Sequence, residues 1–101
     1  MVQVKVCNLD VVPPESMKQF YVSDMEILVV NLDGRLFCLD GRCTHAGAPL
    51  AEGTLSEEVL TCPWHGSQFK ITDGSVQRGP AEKPLKAYPV TVKDNFLFID
   101  I

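Results

Sequence analysis

A chain of 101 residues, 46% of them hydrophobic, supports one domain with one modest core and is too apolar to remain disordered. The formal net charge of −4 is spread thinly: three basic and six acidic groups in residues 1–40, three and four in 41–80, three of each thereafter. No basic stripe exists to follow nucleic-acid phosphates, and the longest aliphatic run, Ile27-Leu28-Val29-Val30, cannot span a bilayer.

The elements read as β throughout. Val2, Val4 and Val6 alternate with Gln3, Lys5 and Cys7, as a half-buried strand requires. Neither this opening nor any other stretch looks like a secretory signal, so a cytoplasmic location is expected, where disulfides among the four cysteines are disfavoured. Pro13-Pro14-Glu15-Ser16 suits a short turn. Asp33-Gly34 between Met25–Leu32 and Arg35–Leu39 predicts a hairpin, because glycine accepts positive φ without strain. Cys7 and Cys38 read as small strand residues. Residues 41–53 lack strand alternation and are rich in Gly, Ala, Pro and Thr; with Pro63–Ser67 they read as loops mounted on strands. Leu55–Glu58 suits another single turn. Asp73-Gly74 is expected to join Gln68–Thr72 to Ser75–Gln77, and Asp94-Asn95 to join Val90–Lys93 to Phe96–Ile101. The expected architecture is all-β: one domain over 1–101, with a loop-built subdomain at about 41–69 on a base of about 1–40 and 70–101.

The chemistry sits in Cys43-Thr44-His45 and Cys62-Pro63-Trp64-His65, separated by sixteen residues. These are the only two histidines, and each follows a cysteine within three positions. Zinc modules usually pair like ligands, Cys with Cys and His with His. Here each loop offers one thiolate and one imidazole. A two-iron cluster explains that duplication if one iron takes both cysteines and the other both histidines. A structural zinc module is the competing reading.

Cys43-Thr44-His45-Ala46-Gly47 with Cys62-Pro63-Trp64-His65-Gly66 resembles the two-loop signature of the Rieske family. Phe69-Lys70-Ile71-Thr72-Asp73-Gly74 and Gly79-Pro80-Ala81 resemble the ferredoxins of bacterial ring-hydroxylating dioxygenase systems. The resemblance implies an antiparallel β sandwich carrying one Rieske [2Fe-2S] cluster. Cys43 and Cys62 would bind the inner iron, and His45 and His65 the outer, more exposed one.

It also implies a monomeric electron carrier, not itself an enzyme, that docks transiently with a flavin-dependent reductase and a terminal oxygenase. No membrane or nucleic acid is involved. The alternative within the resemblance is a small subunit of an assimilatory nitrite reductase.

Two thiolates and two neutral imidazoles leave the oxidised cluster neutral and the reduced one singly negative, so histidine ligation raises the potential. The imidazole nitrogen not bound to iron holds its proton more tightly after reduction. The potential should therefore be flat at low pH and fall in alkaline solution.

Cytochrome-complex relatives carry a disulfide where Ala48 and Trp64 stand, and a tyrosine where Phe69 stands; Ser67 occupies their serine position. A missing disulfide and hydroxyl place the midpoint at the low end of the family span, which runs from roughly −150 to +300 mV. Gly47 and Gly66 suit either close approach of backbone amides to sulfide or simple turn formation. Trp64 suits a cluster shield and docking face or a packed loop aromatic, and Pro80 a third covering loop or a plain turn. The histidines are expected at a tip ringed by Ala46, Ala48, Pro49, Leu50 and Pro80.

Overall fold

The structure, a computed structural model, describes residues 2–101. Among the described residues, eleven antiparallel strands form three sheets. In the first, β1 (Gln3–Asn8) and β10 (Val90–Lys93) flank β11 (Phe96–Asp100). The second runs β2 (Ser16–Val22), β3 (Met25–Leu32), β4 (Arg35–Asp40), β9 (Ala87–Tyr88). The third is a meander of β5 (Thr54–Ser56), β6 (Val59–Thr61), β7 (Gln68–Lys70) and β8 (Val76–Arg78). This last sheet reaches Arg78, further than residue 69.

The aliphatic run in β3 has its reason here. Successive strand side chains point to opposite faces, and β3 lies between two cores. Ile27 and Val29 join Val12, Val22, Cys38, Leu97 and Ile99 under the first sheet. Leu28, Val30 and Leu32 join Leu60, Phe69 and Ile71 under the third. The second sheet is therefore the shared middle layer, and its far face supports the loops.

Turn chemistry sets most of the registers. Asp33 and Gly34 take φ of 52° and 89°, and Asp94 and Asn95 take 52° and 66°, as two-residue hairpins require. Ser23-Asp24 makes a third such turn between β2 and β3, at 48° and 66°, without the glycine that would have announced it. The turn expected over Leu55–Glu58 is instead a tight hairpin: Leu55 lies in β5 and Glu57-Glu58 reverse the chain. The Asp73-Gly74 connection is also wider than a two-residue turn. Gly74 N–H donates to the Lys70 carbonyl and Lys70 N–H to that of Ser75, which shortens both strands and turns Ile71 into the core. In β1, Val4 and Val6 are half-buried, while Val2, just before the strand, is 63% exposed; a bulge between Lys5 and Cys7 brings Cys7 to the core face.

Candidate metal centre

Two loops at one end of the molecule repeat one plan. In the first, Cys43 N–H donates to the Ala48 carbonyl at 2.9 Å, and Leu50 N–H to the Gly41 carbonyl at 3.0 Å. In the second, Cys62 N–H donates to the Ser67 carbonyl at 2.7 Å. Each loop turns through the three residues after its cysteine and closes on a positive-φ glycine, Gly47 at 75° and Gly66 at 77°. A Cβ at either glycine would meet no protein atom within 4 Å, so it is the backbone conformation that demands glycine there.

Aligned on their cysteines, the loops place their histidines one position apart, His45 two residues on and His65 three. The two rings nonetheless meet edge to face, with centroids 5.0 Å apart and planes at 84°. Cys43 and Cys62 are each 4% exposed and belong to the core between the second and third sheets, whereas both histidines face solvent. The two sulfurs thus lie inside and the two imidazoles outside.

The fit to a two-iron group rests on this division. Burial pushes the Cys43 thiol up; the backbone amides of His45 and Ala46, aimed at its sulfur, pull the other way, and the neighbouring Cys62 raises it again. The buried Cys43 thiol becomes a thiolate when a metal takes the place of its proton. Among the described residues, no three His, Cys, Asp or Glu side chains converge on a single-ion position. Two buried sulfurs set apart from two exposed imidazoles match a two-iron group that takes two of each.

A third segment, residues 79–86, straps the two loops. The Ala81 amide donates to Ser67 Oγ at 3.0 Å, tying it to the second loop. Thr44 Oγ1 donates to the Lys83 carbonyl at 2.6 Å, tying it to the first. Leu85 N–H donates to the Gly74 carbonyl at 2.8 Å, and a Cβ on Gly74 would sit 2.1 Å from the Leu85 oxygen. The strap carries Pro80, exposed beside Thr44 and His45.

Two expectations about the tip change. Ala48 and Leu50 do not ring it: both are fully buried, because the backbone pairing at the base of the first loop points them into the core. Trp64 is 56% exposed, so it presents a face to solvent and is not a packed aromatic. Sequence reasoning passed over Thr44 and Arg42, which hold the first loop in place. Their position beside Cys43 was the available signal.

A Rieske-type iron–sulfur protein is the class that this fold and site define. Residues 2–89 match the Rieske [2Fe-2S] domain family, and the chain belongs to it. It is 35% identical to the 3-phenylpropionate/cinnamic acid dioxygenase ferredoxin subunit of Photorhabdus laumondii, covering 100% of this chain and 96% of that protein. The solved ferredoxin of Sphingomonas yanoikuyae B1 superposes with a TM-score of 0.93 at 33% identity, covering 99% of each chain. A structure described as a complex of reduced oxygenase and oxidized ferredoxin in carbazole 1,9a-dioxygenase contains a chain with a TM-score of 0.88 at 28% identity, covering 97% of this chain and 92% of that one. A Rieske domain holds one [2Fe-2S] cluster. Among the described residues, no helix is long and apolar enough to cross a membrane.

Proposed function

We propose that this protein is a one-electron carrier in the cytoplasm, passing electrons from a flavoprotein reductase to a terminal oxygenase. In this reading Cys43 and Cys62 hold the inner iron, and His45 and His65 the outer. The observation that carries it is the sorting of four donors at one tip, two buried sulfurs beneath two exposed imidazoles. The bound cluster supplies the one-electron couple. The chain supplies everything else: buried cysteines that keep water from the inner side, a strap that fixes the loops, and a rim for docking.

The ferredoxin subunits it resembles, and the oxygenase–ferredoxin complex among its structural neighbours, support the assignment of partners. The rim contains Ala46, Pro63, Trp64 and Pro80, all exposed. A small apolar contact of this kind suits brief encounters. The chain is read as an electron-transfer component of a multicomponent system, not as the oxygenase, as the ferredoxin subunits it resembles support.

Anaerobically purified protein should contain two irons per chain and, when reduced, give the electron paramagnetic resonance signal of mixed sulfur and nitrogen ligation. Cys62→Ser should lose the cluster, and His65→Cys should shift the signal toward that of an all-cysteine cluster. Zinc in place of iron, or an unaltered signal in both variants, would overturn the ligand assignment. Reduction by a flavoprotein reductase, followed by oxidation by a terminal oxygenase, tests the partners.

A further inference from the structure

Arg42 stands immediately before Cys43 and reaches two elements at once. Its Nε and Nη2 both bond the carboxylate of Glu26 on β3, Nη2 at 3.2 Å. Its Nη1 donates to the Gly47 carbonyl at 3.0 Å, at the far end of the first loop. Glu26 is itself anchored: Gln19 Nε2 donates to its carboxylate at 3.0 Å, and its carbonyl accepts from Gly41 N–H at 2.8 Å. The guanidinium fork is planar and rigid, so two bonds to Glu26 fix the direction of the third.

That third bond has a consequence inside the loop. In a trans peptide the carbonyl and the following amide point in opposite directions. Drawing the Gly47 carbonyl to Arg42 sets the Ala48 N–H on the opposite side of that peptide. An amide aimed at a cluster sulfur favours the reduced, more negative state and raises the potential.

We propose that Arg42, held by Glu26, is a positioning residue that fixes the Gly47–Ala48 peptide with its amide toward the cluster and so raises the reduction potential. The inference rests on the assignment of Cys43 and His45 as ligands, and it adds a determinant of potential outside the ligand set.

Simple electrostatics makes a different prediction, which makes the idea testable. If Arg42 acted only as a nearby positive charge, Arg42→Lys would leave the midpoint in place. Glu26→Gln, which removes a negative charge, would raise it. If the fork positions the peptide, both substitutions loosen it and both lower the midpoint. Potentiometric titration of the holoprotein, followed by paramagnetic resonance, reads the difference. We expect the ratio of reduced to oxidised protein at the wild-type midpoint to fall about threefold in each variant, which is about 30 mV at 59 mV per tenfold for one electron.

An unmoved midpoint in Arg42→Lys, or a raised one in Glu26→Gln, overturns the proposal. Should Arg42→Lys shed iron on purification, Glu26→Gln decides the matter alone, because it retains the guanidinium. A wild-type spectrum without nitrogen ligation would defeat the ligand assignment; a normal spectrum with unmoved variants defeats only the role of Arg42.

Discussion

Ser67 accepts a hydrogen bond from the Ala81 amide at 3.0 Å, and both residues are buried. An oxygen used as acceptor still has a proton to donate, and Ser67 stands five residues beyond Cys62, whose N–H donates to its carbonyl at 2.7 Å. One hydroxyl therefore holds the strap by its lone pair and keeps a hydrogen that a cluster sulfur would accept. Ser67→Ala removes both. The Ala81 amide left unpaired should cost about 1–3 kcal/mol of folding stability. Loss of the hydroxyl donor should lower the midpoint. Urea unfolding and potentiometric titration of the same preparation measure the two effects. A destabilised variant with an unchanged midpoint would show that the hydroxyl serves the strap alone.

Phe69 tests the same chemistry from the opposite direction. It is fully buried in the core that also contains Cys43 and Cys62. Phe69→Tyr adds one hydroxyl at a fully buried position, where a sulfur acceptor would satisfy it. The midpoint should rise, while stability falls by about 1–3 kcal/mol from overpacking. A drop in stability with no rise in midpoint would show that the new hydroxyl does not reach sulfur.

Gly74 shows how a backbone contact remote from the donors holds the site. Its φ of 79° is one that side chains rarely adopt, and an added Cβ would lie 2.1 Å from the Leu85 carbonyl oxygen. Leu85 lies near the end of the strap, so Gly74→Ala must either push the strap away or distort the turn. We expect a loss of at least about 1–3 kcal/mol and faster release of iron to a chelator. Equal chelation rates in variant and wild type would show that the strap does not depend on this contact.

The extent to which all this was legible follows the range of the forces involved. The hairpins at Asp33-Gly34 and Asp94-Asn95 could be read because positive φ is a local demand with a local chemical answer. The Ser23-Asp24 turn was hidden because neither residue is a glycine. β2 escaped notice because Ser16–Val22 shows no clean alternation, being half-buried along most of its length. The four candidate donors were legible from spacing alone, since metal ligation restricts residue type more tightly than packing does. The burial of Ala48 and Leu50 was not, because it depends on pairing across the loop base, and neither was the three-way contact of Arg42, whose partners lie on different elements.

Cys38 links the core to alkaline stability. It is 1% exposed between the first and second sheets, and burial, followed by the nearby Cys7, raises its thiol from an ordinary 9.0 to about 12. The folded protein keeps this proton while the unfolded chain gives it up. The contribution to stability is therefore complete below pH 9.0 and is lost as pH rises toward about 12. The loss should approach about 1.4 kcal/mol per pH unit within that window. Tyr88 acts in the same direction at higher pH: burial first, then its hydrogen bond to Asp40 at 2.7 Å, raises its hydroxyl above the ordinary 10.0. Cys38→Ala removes the thiol and leaves Tyr88 in place, so the comparison isolates one group. Between pH 8 and pH 10.5, wild type should lose about 2 kcal/mol more than the variant in urea unfolding. Parallel losses in the two proteins would mean that the Cys38 thiol ionises in the folded state as readily as in the unfolded chain.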